Sequence, residues 1–225
     1  MRRIAFLMLA FCGAAALGQS TNLPSPVDAD AFRNEAAAQY RRILAGLSAK
    51  GKLDDDEILL GRVRRIAASL IVAAARVRAE TSAWSWEVHV TSDASKGAFC
   101  MAGGKVLVGS ELVRRMGLSD GELAMLLGHE IAHAVADHRR EASRATMESD
   151  VAEEIRQAEI AVMQENEADR IGMSLAHGAG WPTSSLVSFF EKLAAEEPPG
   201  TFNSSHPSAA SRAATARALA QKLGW

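Results

Sequence analysis

The stretch from Gly128 to His138, GHEIAHAVADH, constrains this chain more than any other. His129 and His133 stand four residues apart, with Glu130 directly after the first. Four residues of helix turn through about 400°, so both imidazoles project from one face, one turn apart. That spacing lets two ring nitrogens reach a single metal ion at about 2.0–2.1 Å. Glu130 is offset by about 100°, beside the metal rather than on it, where a carboxylate can take a proton from activated water. The alternative is an ordinary charged face on an alanine-rich helix. What the rest of the chain supplies decides between them.

A catalytic zinc needs a third protein ligand and one open position, usually from a separate helix. Glu153 lies about 20 residues after His133 but sits in a polar segment and has no aspartate four residues on. Glu165, in QENEADRIG, does have one, Asp169. The two share a helix face, so one can ligate the metal while the other fixes a ligand histidine by hydrogen bond. Glu165 is therefore the expected third ligand. Gly and His would follow three and six residues past His133 in a metzincin. Ala136 and Arg139 stand there, which excludes that class. His138 falls about 500° round an extrapolated helix from His133 and is expected to point away from the ligand face, as a packing or surface histidine. In SSHPSAASR, His206 and Pro207 are expected to open the last helix, with Arg212 following. A His-Pro pair there is ordinarily only a helix start. Beside a zinc site, its imidazole can also stabilise an oxyanion.

Around these residues the pattern is mainly helical. Helices are expected from a cap at Asp28 or Asp30 to about Leu47 and from about Asp54 to Ala79, the second carrying Ile58, Val63, Ile66, Leu70 and Val77. The period then shortens to two in WEVHV (86–90), AFCMA (98–102) and KVLVG (105–109), read as a small antiparallel meander with Gly103-Gly104 as its hairpin. Cys100 is expected as a small apolar residue in a buried strand. Ser119 caps the motif-bearing helix, and Glu122 three residues later completes a capping box. The segment 141–163 is polar in its first two-thirds and reads as a solvated helix or connector. Further helices are expected over 158–177, 183–195 and 208–223.

The first 18 residues read as a cleavable signal peptide: Arg2 and Arg3, an apolar run from Ile4 to Leu17, then small residues Ala16 and Gly18. A retained anchor is the alternative, but the run is short of the about 20 residues a spanning helix needs. A lipoprotein reading through Cys12 is weak, because Phe11 precedes it. Residues 19–80 are then expected as helices packing on a catalytic domain of residues 81–225, exported to the periplasm or cell envelope. Cys100 is the one thiol left, so no internal disulfide can form. With a net charge of −2 the composition suggests no nucleic-acid surface.

Taken jointly, HEIAH, ENEAD with the following RIG, AGWP, FFEKL and SHPS…R resemble the HtpX/Oma1-like family of zinc metallopeptidases, which also contains the CAAX prenyl endopeptidases. The resemblance runs from about Trp86 to Arg212. It implies an α+β, mainly helical gluzincin (zincin-like) fold, with a small antiparallel sheet and the HExxH helix at the active-site cleft. It further implies one zinc ion per chain on His129, His133 and Glu165, with Glu130 as base and His206 near the substrate oxyanion. Asp169 and Arg212 would support that set. The chain departs from the family in having Gly97 where Asn often precedes the Ala-Phe pair. It also lacks the spanning helices of members that work within membranes, so prenyl-protein processing is not expected. The soluble, exported members are linked to envelope quality control. The implied activity is endoproteolysis. From strand geometry, not from the resemblance, substrate backbone could add at Ala98, Phe99, Cys100 and Met101, which favours extended or unfolded polypeptide. Peripheral association with the envelope would be compatible with this. The competing reading is a zinc-binding chaperone-like or scaffold protein that cleaves little.

Overall fold

The computed structural model describes residues 29–140, 151–196 and 208–225, with residues 151–156 described by backbone alone. The leader at 1–18, His206, the side chain of Glu153 and most of the 141–157 connector lie outside the described residues. The described chain runs α1 (Ala29–Ser48), α2 (Glu57–Val77), a 3-10 turn (Ala79–Ala83), β1 (Glu87–Thr91), β2 (Ala98–Met101), β3 (Lys105–Gly109), α3 (Ser110–Arg115) and α4 (Asp120–Val135). It continues with α5 (Val151–Gly178), α6 (Thr183–Glu196) and α7 (Ala209–Leu223).

α2 begins where the Asp56 side chain accepts a hydrogen bond from the Leu59 amide at 2.9 Å, satisfying an amide that the helix itself leaves open. Its stripe of Leu59, Val63, Ile66, Leu70 and Ala74 is buried in the same apolar core as α4, α5 and α6. α1 buries Ala36, Tyr40 and Leu47 in a smaller cluster with Met101 and Leu107. The Tyr40 hydroxyl donates to the Val106 carbonyl, tying α1 to the sheet.

The sheet differs from the expected antiparallel meander. Its order is β1-β3-β2. β2 pairs with β3 antiparallel, through Ala98 opposite Val108 and Met101 opposite Lys105. β1 pairs with β3 in parallel, through Glu87 opposite Lys105. The hairpin at Gly103-Gly104 is present, both glycines having φ near +80°, a region that favours glycine. The loop between β1 and β2 carries the chain past the place that β3 later fills. It crosses the end of β3 so closely that a Cβ on Gly109 would lie 2.2 Å from the Lys96 carbonyl oxygen. All five residues of β3 are buried, whereas β1 and β2 are each partly exposed. The continuous apolar run VLV is what a central strand covered on both faces requires. Among the described residues β2 pairs on one side only, and it packs against α4.

α4 is the hub, packing against α2, α5, α6 and β2, and only Asp120 and His133 of its sixteen residues are not buried. Its N-terminus carries the capping box read from the sequence. The Ser119 amide donates to Glu122 Oε2 at 2.7 Å, and the Glu122 amide donates to Ser119 Oγ at 3.4 Å. The same carboxylate accepts from Ser188 Oγ at 2.7 Å and Lys192 Nζ at 2.8 Å, binding α6 to the cap. Burial by itself would raise the Glu122 carboxyl, but these donors outweigh it and hold it down at about 2. Arg62 and Arg65 of α2 meet Asp120 from the other side, at 2.5 and 2.7 Å.

α5 starts at Val151, seven residues before the expected 158. Ala152, Glu153, Glu154, Arg156 and Gln157 at its start are strong helix formers, so a polar sequence there does not break the helix. The last helix is capped by Ser208, whose hydroxyl accepts from the Ser211 amide at 3.2 Å. The described helix begins at Ala209, and the expected opening at His206 and Pro207 lies outside the described residues.

α4 and α5 run antiparallel and cross at two glycines. A Cβ on Gly128 would stand 2.8 Å from the Gly172 carbonyl oxygen, and one on Gly172 would stand 2.7 Å from the His129 amide nitrogen. No side chain can be inserted there unless backbone moves. Gly172 shares its helix face with Glu165, Ala168 and Asp169, all buried against α4.

The Glu122 carboxyl ionises near 2 in the folded chain, against an ordinary 4.5. Its contribution is thus complete above about pH 5 and lost as pH falls from there toward 2, worth about 2–3 kcal/mol. Glu122→Gln should be less stable at pH 7 by about 1–2 kcal/mol and show a flatter decline over that acid range, measured by urea denaturation at a series of pH values. Gly172→Ala should destabilise by about 2 kcal/mol or more through overpacking against backbone. Gly61→Ala, in α2 with open space around its Cβ, should be neutral or stabilising by about 0.5–1 kcal/mol. Equal behaviour of the two alanine variants in the same denaturation assay would contradict the close crossing.

Candidate metal centre

Helical spacing on α4 sends His129 and His133 to one side, and the glycine crossing brings α5 up against them. His129 Nε2 and His133 Nε2 are 3.1 Å apart. Glu165 completes a triangle, with Oε1 3.2 Å from His133 Nε2 and Oε2 3.5 Å from His129 Nε2. Among the described residues, His129, His133 and Glu165 form a group able to offer one ligand atom each to a common ion. Four ligands held tetrahedrally at about 2.0–2.1 Å have neighbouring atoms about 3.3 Å apart, so the observed separations fit such an ion. The donor chemistry fits as well: two imidazole nitrogens and a carboxylate are a combination that zinc accepts.

Each histidine is oriented through its other nitrogen. His129 Nδ1 lies 2.9 Å from Asp169 Oδ1, so its N–H donates to the carboxylate and its Nε2 lone pair faces the site. Arg212 of α7 forks onto the same carboxylate, donating from Nε to Oδ2 and from Nη2 to Oδ1, both at 2.7 Å. Its Nη1 stands 3.7 Å from Glu165 Oε2. Burial alone would raise the Asp169 carboxyl, but the hydrogen bonds from His129 and Arg212 outweigh it and hold it below the ordinary range. The buried ions are thus paired rather than isolated.

Glu130, next to His129 on α4, is 6% exposed. Burial pushes its carboxyl up to about 7, with Glu165 adding to the rise and His129, Arg139 and Arg212 opposing it. Its charge is felt at Cys100, whose buried thiol is raised first by desolvation and then by Glu130. α4, which carries Glu130, packs against β2, which carries Cys100. Cys100 is buried and strongly disfavoured as a thiolate, in keeping with an apolar role. Ala98 and Phe99 are partly exposed, and Met101 is buried.

His138 does not point away. α4 ends at Val135, and Asp137 adopts φ +60°, so a helical wheel cannot be extended through it. Arg78 and Arg140 hold the Asp137 carboxylate at 3.0 and 2.8 Å. The chain turns back, and His138, 2% exposed, brings Nδ1 to 3.0 Å from His133 Nδ1. His138 Nε2 lies 3.4 Å from Glu167 Oε2. Sequence reasoning misses this contact, and nothing local announces it. It also misses Gly128 and Gly172, although glycines inside two helices carry a signal. Each costs about 1 kcal/mol against alanine, and close packing is the usual compensation.

Residues 59–152 and 151–220 match the sequence profile of peptidase family M48, from α2 through α7. The chain is 29% identical over 147 residues to the mitochondrial metalloendopeptidase OMA1 of Arabidopsis thaliana, covering 57% of this chain and 30% of that protein. It is 31% identical over 150 residues to the Schizosaccharomyces pombe OMA1, covering 56% and 44% respectively. A shorter match, 43% over 58 residues, links it to the Saccharomyces cerevisiae OMA1. The chain therefore spans less than half the length of these relatives. Two helices converging on a His-His-Glu set and a profile match over most of the length lead to one statement of kinship: the chain belongs to peptidase family M48.

Proposed function

We propose that this chain is a zinc-dependent endopeptidase that cuts extended or unfolded polypeptide in the cell envelope, serving protein quality control. The observation that carries this reading is the convergence of His129, His133 and Glu165 beside the buried carboxyl of Glu130. Its similarity to metalloendopeptidases supports hydrolysis within a chain rather than at its ends.

His129, His133 and Glu165 would hold one zinc ion per chain. Bound there, zinc supplies Lewis-acid polarisation of the scissile carbonyl and of water. Asp169, clamped by Arg212, keeps the His129 proton on Nδ1 and so leaves Nε2 available. Glu130 takes the proton of the attacking water and passes it to the leaving amine. Burial makes this carboxyl readier to take up a proton, which is what a general base must do. To His206 we assign stabilisation of the oxyanion, on its sequence position alone.

Substrate would lie along β2. Among the described residues that strand has an unpaired side, and it packs on α4, the helix that carries Glu130. Strand addition at Ala98, Phe99, Cys100 and Met101 reads backbone more than side chains, which favours extended or unfolded segments. Among the described residues no helix is long and apolar enough to cross a membrane. Export rests on the basic and apolar pattern of residues 1–18.

Wild-type chain and Glu130→Gln should each bind one zinc by metal analysis. Only the wild type should cleave an unfolded protein such as casein, the variant falling by at least about a hundredfold. Zinc in both with cleavage in neither would favour the chaperone-like reading. No zinc in either would overturn the metal assignment.

A further inference from the structure

His133 is the more exposed of the two histidines, at 17% against 1% for His129, and Asp169 and Arg212 meet the ring of His129. The partner of His133 is His138. Two imidazole nitrogens 3.0 Å apart with no metal ion between them need one proton: two lone pairs repel, and two N–H groups collide. For His133 to turn its Nε2 lone pair toward His129 and Glu165, its own proton must sit on Nδ1. His138 Nδ1 must then accept it, so His138 carries its proton on Nε2. That nitrogen faces the Glu167 carboxylate at 3.4 Å, which takes an N–H and cannot supply one when ionised. One order of protons satisfies the whole chain from Glu167 to His133.

The backbone holds His138 in this place independently of its ring. Asp137 makes the turn at φ +60°, Arg78 Nη1 reaches both the Val135 carbonyl at 2.8 Å and the Asp137 carboxylate at 3.0 Å, and Gln164 Nε2 of α5 donates to the His138 carbonyl at 3.4 Å. An imidazole that is 2% exposed and wedged between His133 and Glu167 has little rotational freedom.

We propose that His138, backed by Glu167, is the positioning residue of His133: it accepts the Nδ1 proton and leaves the Nε2 lone pair facing His129 and Glu165. This rests on the metal-site reading above. It gives His133 the support that Asp169 and Arg212 give His129, with an imidazole in place of a carboxylate.

The test measures zinc affinity of the full chain by chelator competition for wild type, His138→Asn and His138→Phe, with thermal unfolding to confirm folding. Asn keeps an acceptor close to the Nδ1 position, whereas Phe keeps the ring's bulk and loses the acceptor. His138→Phe should bind zinc about 10- to 100-fold more weakly, and His138→Asn should stay within about threefold of wild type. A purely packing role gives the reverse order, which would overturn the inference, as would equal loss in both variants. Two further measurements do not depend on those variants folding. Glu167→Ala, at a half-exposed carboxylate, should weaken zinc binding by a few-fold. Long-range proton–nitrogen spectra of the zinc-loaded wild type should show His138 protonated on Nε2; protonation on Nδ1 would contradict the proposal outright. A wild type that holds no zinc would sink the metal-site reading and this inference with it, whereas zinc binding indifferent to His138→Phe would sink the inference alone.

Discussion

The contact on which the rest depends is that between Gly128 and Gly172. With backbone against backbone, and no room for a methyl group on either side, α4 and α5 approach closely enough for the short Asp169 side chain to reach His129 at 2.9 Å. Glu165, two turns earlier on the same face, then falls beside both Nε2 atoms. A wider crossing would leave the carboxylates short of the histidines, and buried charge without a partner is expensive. Geometry at the glycines and chemistry at the site are thus one constraint, expressed two turns apart.

Four helices share the cost of placing those charges inside. Arg212 comes from α7, forks onto Asp169 of α5 and lies 5.5 Å from the Phe190 ring of α6. Through Asp169 it acts on His129 of α4. The far end of α4 is fastened in a similar manner, since Glu122 serves at once as helix cap and as acceptor for Ser188 and Lys192 of α6. A helix buried almost all round needs both ends satisfied in this way, because its open amides and carbonyls have little water to turn to.

Local chemistry was readable from the sequence wherever a few neighbouring residues decide it. The Ser119–Glu122 box, the Gly103-Gly104 hairpin, the pairing of faces at His129 and His133, and the choice of Glu165 by its companion Asp169 all follow from spacing along one element. The start of α5 at Val151 was also within reach, had helix propensity been weighed above polarity. The covered run VLV pointed to a central β3 in the same way.

Sequence by itself determined most of the helices, the Ser119–Glu122 cap, and which side chains share a face, because those are set within a turn or two of chain. Tertiary structure alone decided the rest. The parallel pairing of β1 with β3 depends on a loop crossing over Gly109. The return of His138 to His133 depends on a left-handed Asp137 held by Arg78, just past the end of α2 and nearly sixty residues earlier. The distance between α4 and α5 depends on two glycines 44 positions apart in sequence meeting at one point. Each is a contact between residues with no periodic relation, and only packing in three dimensions selects it.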